Sequence, residues 1–423
     1  MRRPHLKIQT ICGALLLYFA IPTIASAATL STLASLTALN LQSDGVVNID
    51  SAGNIYGVAG GGTWSTGADY VFEIPKGTSQ VLLKATPTNS STYTLNPGLV
   101  IDSAGNIYGT SSNGGTQSAP GAVFEIVNGS NKVTTLVQFN GTNGSYPATG
   151  LIADSAGNIY GTTGSGGANN FGTVFEIAAG THQFTTIATG ANGLRPNSLT
   201  IDAAGNLYGT SLGMVTFTDS QGTQTVQAAT VFEIAAGSNQ LTTLASFGGQ
   251  YGLQIGVPDS VVVDPAGNLY GVTNKTGPSG ATTTLFEITA GSHQVVQLMT
   301  SSGSGTALSQ ADAAGNLFYM DQNSVYEITG NQVNVIANIG STAYGYGVGT
   351  LTVDSAGDLY GSTANTIPQF NGQFVPPTLF FYGSVFELTN SGFVVPESSS
   401  LLLTAFGLLA FIGFAFKRVS ASK

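Results

Sequence analysis

The chain is predicted to be an all-β protein, a seven-bladed β-propeller that is closed by a strand from its N-terminal end. Three observations support this prediction: a motif that occurs seven times, a repeat length of about fifty residues that suits a four-stranded blade, and an N-terminal segment that matches the strand missing from the last repeat. Composition agrees, because only 8% of the residues are charged and Gly is abundant, which favours short strands and tight turns.

Each repeat opens, with small variations, on Asp-x-Ala-Gly-Asn-(Ile/Leu)-Tyr-Gly and closes on Val-Phe-Glu-Ile. In the fourth repeat we expect strands over 198–201, 207–210, 230–234 and 241–247, separated by turns and by a loop over 211–229. The opening acids are Asp50, Asp102, Asp154, Asp202, Asp264, Asp312 and Asp354, and the closing acids are Glu73, Glu125, Glu176, Glu233, Glu287, Glu327 and Glu387.

The seventh repeat has no fourth strand of its own after 385–388. Residues 30–36, Leu-Ser-Thr-Leu-Ala-Ser-Leu, match residues 241–247, Leu-Thr-Thr-Leu-Ala-Ser-Phe, almost letter for letter. We therefore expect 30–36 to supply the missing strand and to tie the last blade to the first. Closure of the ring leaves no free blade edge; an open β-solenoid is the alternative architecture.

The order of the strands places the connections on two faces. The Asp-x-Ala-Gly-Asn turns lie on one face, which we call the turn face. The connections between second and third strands lie on the other, the loop face, and they vary from almost none in the sixth repeat to about twenty residues in the fourth and seventh. The loop face is the predicted binding face. Trp64 is its candidate ligand residue, as a ring that stacks on a sugar or partner; the alternative is a side chain packed over the blade.

The acids of the repeat are interpreted as structural. Each Asp is expected to accept hydrogen bonds from its own turn, and each Glu to accept them across strands or between blades. The repeated Tyr is interpreted as blade core with a polar hydroxyl. A calcium site needs several converging oxygens, whereas each turn offers one carboxylate, except the turn with Asp354 and Asp358.

His182 and His293 are the only histidines of the chain after residue 27. Both are predicted to lie on exposed outer turns of different blades, where they would form neither a metal cluster nor a catalytic triad. We therefore assign no catalytic, cofactor-binding or metal-binding residue from the sequence, and expect no cofactor.

Both ends of the chain indicate export. Residues 1–27 combine a basic start, an apolar run and a small-residue cleavage site, as in a signal peptide; an N-terminal membrane anchor is the alternative. Residues 28–394 are assigned to the propeller. Residues 395–423 contain an apolar run at 401–416, close to the length of a spanning helix, followed by two basic residues that would remain in the cytoplasm.

The motif Val395-Pro396-Glu397 before this apolar run resembles the PEP-CTERM sorting signal, with Ser398 where the family usually has a second Pro. The resemblance implies recognition by an exosortase-type enzyme in the inner membrane of a Gram-negative bacterium. Proteins of this kind often accompany exopolysaccharide, which implies a surface or matrix location. A plain C-terminal membrane anchor is the alternative.

The repeat over 46–390 resembles the GloVer-type tandem repeat of exported bacterial proteins and, more distantly, NHL-type propellers. The latter include binding modules as well as lactonase and lyase enzymes, whose sites use clustered acids, His or a metal in the channel. The sequence shows no such cluster, so we carry over no catalytic residue.

The chain is therefore expected to be a non-catalytic binding or structural module, anchored in the inner membrane by its C-terminal helix before sorting and then found at the cell surface or outside the cell. Expected partners are the exosortase-type enzyme and a surface polymer such as exopolysaccharide. A lactonase- or lyase-type enzyme and a calcium-stabilised surface scaffold remain alternatives. Nucleic acid is not an expected partner, because 28–395 contains only Lys76, Lys84, Lys132, Arg195 and Lys275 as basic residues.

Overall fold

The structure is a computed structural model that describes part of the chain. The described residues are 29–36, 41–61, 69–85, 94–112, 120–147, 150–191, 194–219, 222–248, 256–277, 280–302, 307–309, 311–312, 315–321, 323–329, 332–339, 346–364 and 383–389. They form strands joined by turns and bends, and contain no helix. Accordingly, this part of the chain has no helix able to cross a membrane.

The strands form seven sheets, one per repeat, which confirms the predicted seven blades. Strand β1 (Thr29–Ser35) precedes them. Blade 1 contains β2 (Leu41–Ile49), β3 (Ile55–Gly61), β4 (Asp69–Ile74) and β5 (Leu82–Ala85). Blade 2 contains β6 (Val100–Ile101), β7 (Ile107–Ser111), β8 (Ala122–Ile126) and β9 (Val133–Gln138). Blade 3 contains β10 (Ser145–Pro147), β11 (Ile152–Ala153), β12 (Ile159–Ser165), β13 (Thr173–Ile177) and β14 (Phe184–Thr189).

The remaining blades follow the same order. Blade 4 contains β15 (Leu194–Ile201), β16 (Leu207–Asp219), β17 (Gly222–Ile234) and β18 (Leu241–Gly248). Blade 5 contains β19 (Val257–Val263), β20 (Leu269–Gly277), β21 (Gly280–Ile288) and β22 (Val295–Ser302). Blade 6 contains β23 (Ala307–Leu308), β24 (Leu317–Met320), β25 (Ser324–Thr329) and β26 (Gln332–Asn338). Blade 7 contains β27 (Tyr346–Val353), β28 (Leu359–Ala364) and β29 (Gly383–Thr389).

Blade 7 is completed by β1, as the sequence match predicts. β1 runs antiparallel to β29, with Leu30 opposite Leu388 and Thr32 opposite Phe386. Ala34 and Leu36 are buried in one cluster with residues of both blade 7 and blade 1. The first strand of the propeller thus belongs to the last blade, and the ring is closed.

One predicted connection is wrong. Residues 211–229 are not a loop, because β16 and β17 continue as a paired hairpin as far as Asp219 opposite Gly222. This stretch contains Val215, Thr216 and Phe217, and β-branched and aromatic residues of this kind favour a strand when a partner strand is available. The fourth blade therefore extends a β-ribbon from the loop face. The short connection predicted for the sixth repeat is confirmed between β24 and β25.

The core lies between blades. In every blade except the sixth, the Phe before the conserved Glu is buried and packs towards the preceding blade, whereas the Tyr and the Val or Leu of the repeat pack towards the next one; Phe175, for example, clusters with Tyr108 and Val123 of blade 2. In blade 6, Tyr326 takes the place of this Phe. This packing explains why Gly follows Tyr in the repeat. A Cβ on Gly161 would lie 2.4 Å from Phe175 Cζ and 2.9 Å from Leu151 Cδ2.

We expect Gly161→Ala to destabilise the fold by about 1–3 kcal/mol, because the buried Phe175 ring must move to admit a methyl group. Gly164→Ala in the same strand is the control: its nearest contact would be the Tyr146 carbonyl oxygen at 3.5 Å, and its effect should stay within about 0.5 kcal/mol. Urea unfolding followed by circular dichroism measures both. Equal losses in the two variants would contradict the packing explanation.

Candidate functional site

Each turn on the turn face is organised by its first Asp. In blade 3, Asp154 Oδ1 accepts the backbone N–H groups of Ala156 and Asn158 at 2.9 and 2.8 Å. Its Oδ2 accepts Asn158 Nδ2 at 2.8 Å and the Tyr160 hydroxyl at 3.0 Å. Both carboxylate oxygens are thus bonded within the turn, which confirms the structural interpretation of this Asp. The same bonds recur in the turns that open on Asp50, Asp102, Asp202 and Asp264.

These bonds hold Asp154 in its charged form. Burial raises the pKa of Asp154, but hydrogen bonds from Asn158, Tyr160 and Ala156 outweigh burial and leave this pKa below its ordinary value. The turn of blade 7 differs, because Asp358 replaces the Asn and brings a backbone donor to Asp354 Oδ1 but no side-chain amide.

The repeated Tyr and Glu are cross-strand partners, a pairing that the sequence analysis did not identify. The pairs are Tyr56–Glu73, Tyr108–Glu125, Tyr160–Glu176, Tyr208–Glu233, Tyr270–Glu287 and Tyr360–Glu387, with Phe318 opposite Glu327 in blade 6. The Tyr108 hydroxyl lies 3.1 Å from Glu125 Oε1 and 3.2 Å from Asp102 Oδ2, so one proton serves two carboxylates.

The hydroxyls of these tyrosines remain protonated donors. Burial, then Asp202 and Glu233, raise the pKa of Tyr208 to about 12; burial, then Glu287 and Asp264, raise the pKa of Tyr270 to about 12. The structure thus confirms that Glu125 and Glu387 are hydrogen-bond acceptors for hydroxyls. In blade 1 the acceptor pairs with a cation instead, because Lys84 Nζ lies 2.8 Å from Glu73 Oε2.

The carboxylate of Glu287 gives a pH prediction. Burial and the neighbouring Asp264 raise the pKa of Glu287, so the folded state binds this proton more tightly than the unfolded state does. Stability associated with this group therefore rises as pH falls through the folded-state pKa and is lowest at neutral pH. We expect Glu287→Gln to raise the melting temperature at pH 7, and the gain to shrink as pH falls towards the ordinary pKa of Glu, about 4.3, because protonation removes the charge that burial and Asp264 disfavour.

Glu73→Gln is the control at the same position of the repeat. It should lower the melting temperature at pH 7 slightly, by less than about 1 kcal/mol of stability, because it removes the partner of the half-buried Lys84. Thermal unfolding between pH 4 and pH 7 compares the two variants. A destabilised Glu287→Gln protein at pH 7 would show that this carboxylate is stabilising rather than costly.

His182 and His293 both lie on exposed turns, as predicted. The backbone conformation of these turns explains why a His can occupy this position. Their φ values are 53° and 54°, and Asn239 has 52° at the equivalent turn of blade 4. Asn and His tolerate this left-handed conformation better than most residues do. The His182 ring contacts Tyr108 of the preceding blade edge-on, with centroids 6.3 Å apart. Within the described residues, no group of three or more His, Cys, Asp or Glu is placed to hold a metal.

The central channel contains a cavity of about 550 Å³. It is lined by the innermost strand of every blade. The described lining consists of aliphatic residues with hydroxyl and amide groups, including Asn48, Thr200, Ser260 and Ser309, and contains no titratable side chain. Its polarity therefore comes from neutral hydrogen-bonding groups and from backbone edges.

On the loop face, polar side chains join neighbouring blades. Asn197 Nδ2 and Thr210 Oγ1 of blade 4 both donate to the Asp259 carbonyl oxygen of blade 5, at 3.1 and 3.0 Å. Trp64 and the sorting motif Val395-Pro396-Glu397 lie outside the described residues, so both remain predictions. A different aromatic residue, Tyr146 of β10, is 58% exposed here. The repeat pattern assigns this residue no role, although its position between Gly144-Ser145 and Pro147 indicates an irregular strand.

Comparison with known proteins agrees with the fold and leaves the activity open. Residues 42–223 match the family model of the Gloeobacter/Verrucomicrobia repeat. No curated protein matches the chain in sequence. Among solved structures, the chain is similar to an extracellular domain from B. thetaiotaomicron, with 12% identity, a TM-score of 0.51 and coverage of 80% of this chain and 39% of that one.

Two further solved structures resemble it more weakly. A chain of a nidogen/laminin complex shares 15% identity at a TM-score of 0.43, covering 70% of this chain and 98% of that one. A luciferin-regenerating enzyme shares 12% identity at a TM-score of 0.44, covering 72% and 94%. At these identities the similarity concerns the fold alone. Residues 42–223 are thus similar to the Gloeobacter/Verrucomicrobia repeat, and in this chain they form part of a seven-bladed propeller.

Proposed function

We propose that this chain is an exported, surface- or matrix-associated propeller that binds or organises a surface polymer and catalyses no reaction. The observation that carries the proposal is the bonding of the repeated acids. The described Asp side chains of the turns are bonded within their own turns, and Glu125 and Glu387 are bonded to tyrosine hydroxyls. The carboxylates of the repeat therefore stabilise the turns and strands of the blades. We expect ligand recognition to depend on the variable loop face instead.

The channel supports a binding role over the lactonase- or lyase-type alternative. Acid–base catalysis needs a titratable group within hydrogen-bond reach of the reacting atom. The described channel lining offers aliphatic, hydroxyl and amide groups in its place. Such a surface holds water or a neutral ligand by hydrogen bonds.

The two ends of the sequence support export. Residues 1–27 have the composition of a signal peptide, and Val395-Pro396-Glu397 precedes an apolar run and a basic tail. On this proposal an exosortase-type enzyme in the inner membrane recognises the C-terminal segment, the apolar helix anchors the chain until then, and the propeller is delivered to the cell surface. The exopolysaccharide that accompanies such proteins is the proposed polymer partner.

The test is co-sedimentation of the full-length, detergent-solubilised chain with insoluble polysaccharide isolated from the producing bacterium. We expect the native protein to sediment with the polymer and to stay in solution when the polymer is left out. Hydrolysis of a panel of sugar lactones is measured on the same sample. Lactone turnover without polymer binding would replace the proposal with the enzyme alternative.

A further inference from the structure

One aromatic side chain on the loop face is turned outward by a backbone conformation that its residue type disfavours. Tyr146 has a φ of 55° and is 58% exposed. A bulky residue rarely adopts this conformation, and where one does, the surrounding structure must impose it. The other described non-glycine residues with positive φ are of types that tolerate it: Asn170, His182, Asn239 and His293.

Contacts between blades 2 and 3 impose this conformation without using the ring. The Tyr146 N–H donates to the Pro120 carbonyl oxygen. The carbonyl oxygen of the buried Pro147 accepts Asn96 Nδ2 at 3.2 Å, and the Pro147 ring packs so closely on Gly121 that a Cβ there would lie 2.3 Å from Pro147 Cδ. Within the described residues the Tyr146 side chain itself has no hydrogen bond and no aromatic contact. Neighbouring residues thus set the backbone conformation at Tyr146, while its hydroxyl and ring make no described hydrogen bond or ring pair.

The segments beside Tyr146 are held by backbone hydrogen bonds and contain no charged residue. Gly167 N–H donates to the Gly141 oxygen and so joins 164–172 to 140–144, and Gly172 N–H donates to the Gly166 oxygen within 164–172; each bond is 2.9 Å long. Residues 139–147 and 163–173 contain Asn, Thr, Ser and Gly but no Asp, Glu, Lys or Arg. Gly164 lies across from Tyr146 in the strand pair and adds no side chain beside the ring.

An exposed ring on a strand pair whose segments carry amides and hydroxyls but no charged side chain selects a class of ligand. The face of the Tyr146 ring can stack on an apolar surface of a ligand, and the neighbouring amides and hydroxyls can hydrogen-bond to ligand hydroxyl groups. An anionic polymer would find no basic side chain in these segments. We infer that Tyr146 is the stacking residue of a site for a neutral oligosaccharide, on the loop face between blades 2 and 3. This inference rests on the proposed function and names the ligand class and the residue.

The test measures binding of the full-length, detergent-solubilised chain to hexasaccharides of glucose, mannose, galactose and N-acetylglucosamine, with an oligogalacturonate hexamer as the charged probe. Isothermal titration gives the affinities, and thermal unfolding gives the melting temperatures. We expect binding to at least one neutral hexamer. Tyr146→Phe should keep the affinity within about threefold, whereas Tyr146→Asn should weaken it about tenfold or more, as for a residue at the centre of an interface. Val335→Ala, at an apolar side chain of blade 6 that is 56% exposed, is the surface control and should bind normally.

Tyr146→Asn separates a binding role from a structural one. Because Asn tolerates a positive φ, this variant should keep or raise the melting temperature while it loses the ligand. Normal binding by Tyr146→Asn would overturn this site and leave the proposed function standing. Absence of binding to every hexamer, together with failure to sediment with the isolated surface polysaccharide, would overturn both. Tyr146-dependent binding of the charged hexamer alone would overturn the assigned ligand class.

Discussion

Deletion of residues 29–36 should abolish cooperative folding of the propeller. These residues supply the whole outer strand of blade 7, and Ala34 and Leu36 are buried against blade 1. Each buried leucine contributes about 1.5–3 kcal/mol, and the total stability of a domain is only about 5–15 kcal/mol. The deletion also exposes the edge of β29, a template for pairing with other chains. We expect a broad thermal transition and soluble aggregates in light scattering.

A sequence swap is the matched control. Replacement of residues 30–36 by the sequence of 241–247, Leu-Thr-Thr-Leu-Ala-Ser-Phe, retains the alternation of the strand and should leave one cooperative transition. A deletion variant that unfolds as cooperatively as the intact chain would show that the ring does not depend on this strand.

Asp154→Ala should cost about 2–6 kcal/mol of folding stability, measured by urea unfolding, because four hydrogen bonds to the carboxylate are lost and each contributes about 0.5–1.5 kcal/mol. Asp154→Asn retains an oxygen for the two backbone N–H groups and should cost about half as much. Since hydrogen bonding lowers the pKa of Asp154, the stability that it provides is present above the ordinary pKa of Asp and is lost as pH falls through the lowered value.

Thermal unfolding of the native chain tests the calcium-stabilised alternative. A carboxylate bonded within its own turn needs no cation, so we expect the melting temperature of the native chain to be unchanged in excess EDTA, as measured by differential scanning fluorimetry. A large decrease in EDTA, restored by calcium and absent in Asp154→Ala, would assign this turn to a metal instead.

The propeller and its blades could be predicted from the sequence because each blade corresponds to one copy of a motif with a characteristic repeat length. The count of seven, the turns opened by Asp, and the strand borrowed from residues 30–36 all follow from patterns that are local or repeated. The Tyr–Glu pairing was within reach of the same reasoning, since both residues recur at fixed places in adjacent strands. The left-handed backbone conformation at His182 could also have been predicted, because Asn239, a residue type that tolerates this conformation, occupies the equivalent position of blade 4.

The features that could not be predicted from the sequence depend on pairing and contacts between segments that do not repeat. The hairpin of β16 and β17 forms because two polar, β-branched segments pair with each other, and neither segment repeats elsewhere in the chain. The outward position of Tyr146 is imposed by Pro120 and Gly121 of another blade. Such positions lie where the repeat is interrupted, which is also where a binding role is proposed.

Closure of the ring by β1 is tested most directly by a cross-link. In a Cys12→Ser background, Ser35→Cys combined with Ser384→Cys places two thiols at paired positions of β1 and β29, within the distance that a disulfide spans. Ser31→Cys with Ser384→Cys is the out-of-register control, displaced by about 13 Å along the strand. On mild oxidation, we predict that the first pair forms an intramolecular disulfide in the monomer, seen as a mobility shift on non-reducing gels, and that the second pair does not. Disulfides that form only between molecules, or equally in both pairs, would contradict a propeller closed by its own N-terminal strand.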